Sequence, residues 1–146
     1  MRFEQRVHIR RAPEEVFDYV TDPANLAAWQ THKTRVEPLT EGPPRLGSRV
    51  REWTKPPGTK EFEQVVEFTE FERPNRLHVH IVEGPQPVDG TWTFAGDGAG
   101  GTEVQCVVAG ELRGPVRFLA PIMARGMARQ FRGYHEQLRK NLEAQD

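Results

Sequence analysis

The sequence predicts an α+β fold: a curved antiparallel sheet of seven strands wrapped on one long C-terminal helix, with two short helices after the first strand. Three observations predict it. Seven segments alternate apolar and polar residues and are joined by short turns, which implies an antiparallel meander. From Pro115 onward the apolar period lengthens to three or four residues, which implies a helix. Between the first strand and the rest lies RAPEEVFDYVTDPANLAAW, residues 11–29, in which helix-start chemistry is written twice.

Residues 2–11 form the first strand, with Phe3, Gln5, Val7 and Ile9 on one face and Arg2, Glu4, Arg6, His8 and Arg10 on the other. Pro13 suits a first helical turn, where its missing N–H has no partner to lose. Glu14 and Glu15 then sit at the positive end of the helix dipole, and Val16, Phe17 and Val20 make the apolar stripe. Asp22 as N-cap and Pro23 at the first helical position open the second short helix, whose Leu26 and Trp29 share a face.

Residues 33–39 form a weak second strand, and GPPRLG at 42–47 turns the chain into the third, residues 48–54. There either phase can face inward: Arg49, Arg51 and Trp53 share one face, while Val50 supports the other. PPG at 56–58 is a turn. Residues 60–72 form a long fourth strand with Phe62, Gln64, Val66 and Phe68 on one face. After RPN at 73–75, Leu77, Val79 and Ile81 alternate with His78, His80 and Val82. Residues 88–95 place Trp92 and Phe94 opposite Thr91 and Thr93. GDGAGG at 96–101 is a hairpin loop, and residues 102–111 turn Val104, Cys106 and Val108 one way.

In the last segment Val116, Leu119, Ala120, Met123, Met127, Phe131, Tyr134, Leu138 and Leu142 advance by helical steps. About 28 residues at 1.5 Å each give roughly 42 Å of helix. Pro121 should kink it or divide a leading turn from the main helix. One helix covers a stripe roughly 10 Å wide, whereas seven strands span about 30 Å. The uncovered concave surface must be filled by side chains or left as a cavity.

At 146 residues the chain is expected to be one domain, residues 1–146. The net charge of −1 gives no global pull toward nucleic acid. Arginine outnumbers lysine 16 to 4, but the arginines are scattered. With Cys106 alone, no intrachain disulfide or cysteine-based zinc cage can form. No apolar run approaches the roughly 18 residues of a membrane-spanning helix. The start, MRFEQRVHIRR, lacks a signal-peptide apolar region, so a cytoplasmic protein is expected.

The candidate chemistry is sparse. His78 and His80 project from one face of a strand, a spacing that can serve a metal. Their apolar neighbours put them outside the sheet, and no third ligand lies near in sequence. GDGAGG lacks the Lys-Ser/Thr of a phosphate-binding loop and joins two strands rather than preceding a helix. Ser48, the only serine, has no glycine-flanked elbow. Cys106 falls on an apolar phase, where inert thiols are commoner than reactive ones. Arg125, Arg129, Arg132 and Arg139 lie off the helix stripe, as a solvated face or as a patch for acidic lipid headgroups. Glu136 and Lys140 read as a surface pair.

The segments APEEVFDYVTDPANLAAW, ERPNRL, GGTEVQCVVAGEL and LRKNLEAQ carry a resemblance that covers essentially the whole chain. They resemble the START-like (SRPBCC) superfamily, in its polyketide cyclase/dehydrase and lipid transport branch. The resemblance implies a helix-grip (START/Bet v 1-like) fold. Its relatives include ligand carriers, aromatase/cyclases, coenzyme Q-binding proteins and co-chaperone relatives.

The first expectation is binding of a small apolar or amphipathic molecule between sheet and helix. Its wall would take Leu26 and Trp29 from the short helices and Phe62, Gln64 and Val66 from the fourth strand. Leu77, Val79, Trp92, Phe94 and Cys106 would come from the later strands, and Met123, Met127, Phe131 and Tyr134 from the long helix. The alternative is a cofactor-free cyclase/dehydrase, which needs at least two polar side chains in the cavity, with Arg51, Gln64, His32 and Tyr134 as the candidates; an internal Arg51 would bind a ligand carboxylate or stabilise an enolate. The third reading is a co-chaperone-like interaction module. No catalytic residue, metal, cofactor, nucleic-acid partner or stable membrane insertion is assigned, and the pattern leaves the oligomeric state open.

Overall fold

A computed structural model describes Met1–Gln145. Seven strands form one sheet: β1 (Arg2–Ile9), β2 (Lys33–Pro38), β3 (Arg49–Thr54), β4 (Phe62–Glu72), β5 (Arg76–Glu83), β6 (Val88–Gly96) and β7 (Thr102–Gly110). Their order is β1-β7-β6-β5-β4-β3-β2, and every pairing is antiparallel. The first strand thus returns to pair with the last, leaving β1 and β2 as edges. Irregular register at two points of β4 against β5 bends the sheet.

Between β1 and β2 come α1 (Pro13–Thr21), a 3-10 turn (Pro23–Asn25) and α2 (Leu26–Trp29). Pro13 opens α1, and Val16, Phe17 and Val20 are buried. The second short helix is not continuous as expected. The Asp22 side chain accepts from the Ala24 N–H at 2.9 Å, and a 3-10 turn precedes one turn of α-helix. The long helix α3 spans Ala120–Glu143, about 36 Å rather than 42 Å. Its shortening has a clear cause. Pro121 sits in its first turn, so the preceding Pro115–Leu119 forms a separate 3-10 turn instead of a kinked continuation.

The position of α3 across the sheet decides where the interior is full. On β1, Gln5 donates its amide to the Ala128 carbonyl and accepts through Oε1 from His135 Nδ1 at 3.1 Å. Phe3 meets Phe131 edge to face at 5.4 Å. Asn141 donates to the Ala28 carbonyl at 2.9 Å and to the Tyr19 hydroxyl at 3.1 Å. These bonds draw α3 over the β1 side of the sheet and onto the short helices. At the far end of the core, Phe17 packs on Phe71 and Phe94 at 5.0 and 5.5 Å. α3 does not pack down on the concave face of β3 to β5, which is left with open space between it and the helix.

Surface details differ from the sequence reading in one respect. Glu136 pairs with Arg139, not Lys140, because the guanidinium fork also reaches Glu143 at 2.9 Å. His78 and His80 lie on the outer face, where Asp89 reaches them at 3.2 and 2.9 Å and Thr91 reaches His78 at 2.7 Å. Among the described residues no group of three or more His, Cys, Asp or Glu is arranged to hold a metal ion. In the 96–101 loop the Asp97 carboxylate accepts from the Ala99 and Gly101 N–H groups, so those donors serve the loop itself. No helix among the described residues is long and apolar enough to cross a membrane.

Candidate functional site

The uncovered half of the sheet encloses a cavity of about 510 Å³, within the range of small-molecule sites. Its floor is built from alternate residues of four neighbouring strands: Val50, Glu52 and Thr54; Phe62, Gln64, Val66 and Phe68; Leu77, Val79 and Ile81; Val88, Gly90 and Trp92. Period-two alternation places each set on one face. Met123, Met127, Phe131 and Tyr134, three or four apart on α3, form the roof. Val20, Thr21, Leu26 and Trp29 close one end. Thr59, Lys60, Pro85 and Gly126 line the cavity yet are exposed, which marks its way out to solvent. A second hollow of about 790 Å³ lies beyond Thr21, Pro23, Val50 and Phe68, which border both.

Of the residues expected on the wall, Leu26, Trp29, Phe62, Gln64, Val66, Leu77, Val79, Trp92, Met123, Met127, Phe131 and Tyr134 line this cavity. Phe94 and Cys106 do not. Both are buried in the packed core, Phe94 against Phe17 and Cys106 paired with Gln5 on one side and Trp92 on the other. Both point inward, but they sit in the part of the interior that other side chains fill.

The strand left open by the sequence resolves clearly. Val50, Glu52 and Thr54 are buried, whereas Arg51 points out to Glu63 and Arg49 to Glu67. Arg35 lies over the Trp53 ring at 4.6 Å, on the outer side as well. Arg51 therefore cannot serve an enolate in the cavity.

In its place the structure brings in a charged pair that the sequence pattern did not single out. Lys33 Nζ donates to Glu52 Oε1 at 2.9 Å, and both side chains are only 6% exposed. Gln64 donates to the same oxygen at 2.5 Å, and Lys33 reaches the Thr54 hydroxyl at 3.5 Å. Glu52 Oε2 receives no hydrogen bond from the described residues. Register explains the assembly, since Glu52 lies opposite Gln64 and Lys33 opposite Thr54. The available signal was the apolar Val50 on the phase of Glu52.

Beside this cluster His32 Nδ1 and the Tyr134 hydroxyl are 2.8 Å apart. Burial, and then the negative charge of Glu52, push the Tyr134 phenol up to about 12, so it stays protonated. His32 stands behind Tyr134 and is not on the cavity wall. Trp29 Nε1 is the buried side-chain polar atom without a partner among the described residues. An unmade bond of that kind costs about 1–3 kcal/mol.

The family model described as polyketide cyclase / dehydrase and lipid transport matches residues 1–143. A START superfamily protein from Mycobacterium smegmatis superposes with a TM-score of 0.83 at 15% identity, covering 97% of each chain. A protein of Thermus thermophilus gives 0.74 at 23% identity, covering 94% of this chain and 97% of its own. The di-domain ARO/CYC BexL from the BE-7585A biosynthetic pathway gives 0.78 at 20% identity, covering 98% of this chain and 46% of BexL. At these identities the likeness is one of fold: the helix-grip arrangement of sheet and helix. No curated protein matches the chain in sequence.

Proposed function

We propose, since the chain belongs to the polyketide cyclase/dehydrase and lipid transport family, that it binds one small amphipathic molecule. The apolar body lies between the sheet and Met123, Met127 and Phe131, and the polar head meets Lys33, Glu52 and Gln64. The observation that carries this reading is a buried ion pair set in an otherwise largely apolar cavity. Such pairs add little to stability compared with apolar residues of the same size. Glu52 Oε2 is open to accept from an O–H or N–H on the head, and the Lys33 ammonium has a third N–H to give.

The same geometry ranks the cyclase/dehydrase alternative second. Glu52 Oε1 is already engaged by the Lys33 ammonium and the Gln64 amide. Arg51 is outside, and His32 is engaged by Tyr134.

Titration with a dansyl-labelled long-chain alcohol tests the proposal. Saturable one-to-one binding with a rise in dansyl emission is expected, and Val79→Trp, which fills the cavity, should abolish it. The reading fails if the alcohol does not bind, or binds equally well to a folded Val79→Trp protein.

A further inference from the structure

The outer surface of residues 112–132 carries a charge pattern found nowhere else among the described residues. Of the 16 arginines, Arg2, Arg6, Arg10, Arg11 and Arg35 are in ion pairs with carboxylates. So are Arg49, Arg51, Arg73, Arg76 and Arg139, and Arg45 is bound to backbone carbonyls. The remaining five, Arg113, Arg117, Arg125, Arg129 and Arg132, are all in this one segment, all exposed and all without a carboxylate partner among the described residues. No Asp or Glu occurs from Leu112 to His135.

Among these arginines stand the two most exposed large apolar side chains of the described residues, Phe118 and Ile122, with Leu119 beside them. Phe118 is 74% exposed, Leu119 50% and Ile122 66%. The 3-10 turn before α3 presents the first two. Helical spacing puts Ile122, Arg125, Arg129 and Arg132 together on the outward face of α3, opposite the stripe that roofs the cavity. The Arg117 guanidinium lies 4.7 Å from the Phe118 ring centre, an apolar tip with its cation beside it.

We propose that this surface docks on an anionic lipid bilayer, with Phe118, Leu119 and Ile122 entering the interface and the five arginines on headgroup phosphates. Unpaired guanidinium groups match phosphate by charge and by fork geometry, and aromatic and aliphatic side chains among basic ones are the pattern of interfacial binding. A second copy of the chain fits poorly, because a two-fold contact would set five free arginines against five more. The inner side of the same segment reaches the cavity through Leu112, Met123, Gly126 and Met127. Gln86, also on the cavity wall, holds the segment in place by accepting from the Arg113 N–H at 2.7 Å. Docking would therefore set the cavity roof against the bilayer. The proposal does not depend on what the cavity holds.

Flotation with phosphatidylcholine vesicles, with and without about a third phosphatidylserine, tests it. The protein should float with the anionic vesicles only, and less as salt is raised, because surface attraction is screened. Phe118→Ser/Ile122→Ser and Arg117→Glu/Arg125→Glu should each lower that binding by about tenfold or more, with unchanged Tm and unchanged uptake of the dansyl alcohol. Absence of flotation, equal flotation with neutral vesicles, or either folded double variant floating like the parent overturns the proposal. So does a concentration-dependent dimer that both variants dissolve, since the patch would then belong to a second copy.

Discussion

Trp92 donates its indole N–H to His135 Nε2 at 3.1 Å, and this bond leaves the proton of His135 on Nδ1, facing Gln5 Oε1. Gln5 passes the chain on to the Ala128 carbonyl. One line of hydrogen bonds thus ties β6, α3 and β1 together beneath the Trp29 ring, whose centre lies 6.1 Å from that of His135.

Neutral His135 is required by that line, and burial lowers its pKa to about 4. The folded value is below the ordinary one of about 6.5, so the unfolded chain binds the proton more readily. Stability is therefore complete above about pH 6.5 and falls as pH drops toward 4, by up to about 3 kcal/mol from this residue. Urea unfolding between pH 7.5 and about 4.5 should show the decline, and His135→Gln should flatten it. An equal slope in the variant would assign the effect to other groups.

Removing one member of the Lys33–Glu52 pair should cost more than removing both. Glu52→Ala leaves the ammonium buried and unpaired, which costs about 3–5 kcal/mol. Lys33→Met combined with Glu52→Leu should stay within about 1 kcal/mol of the parent or exceed it. Thermal melts of the three proteins check the order. The double variant should still take an apolar dye but lose preference for the dansyl alcohol over its hydrocarbon analogue.

Gly90 gives the Trp92 ring its place. A Cβ there would stand 2.7 Å from Cζ3 and 2.8 Å from Cη2 of that ring. Gly90→Ala should tilt the indole, strain its bond to His135 and cost about 1–3 kcal/mol. A lower Tm with altered near-ultraviolet circular dichroism is the expected signature; an unchanged spectrum would mean the ring is held elsewhere.

Cys106 is 1% exposed, and burial alone raises its thiol far above the usual range. The native protein should resist an aromatic disulfide reagent and release its full thiol equivalent only in denaturant. Reaction of the folded protein at a free-thiol rate would show that the β7 core opens readily.

Much of the fold is legible in short stretches of sequence because strand alternation, helical period and proline placement are local properties. Phe62, Gln64, Val66 and Phe68 declare a shared face by spacing alone. Pro121 announces a break, though its neighbours decide between kink and helix start. The cavity wall is less legible. The third strand offers Arg51 on one phase and Glu52 on the other, so either way a charge goes inward. Lys33 decides it from nineteen residues upstream, through a pairing visible only once β2 lies on β3.

The α+β class, the order of elements and the inward phase of most strands were readable along the chain, since each follows from the geometry of neighbouring residues. Tertiary structure alone decided how far α3 lies toward β1, and with that which inward residues are packed and which face open space. Trp92 lines the cavity and Cys106, its partner on the next strand, does not. A sheet wider than the helix that covers it can be filled on either side. Which side stays open is settled by bonds such as Gln5 to Ala128, between residues more than a hundred positions apart.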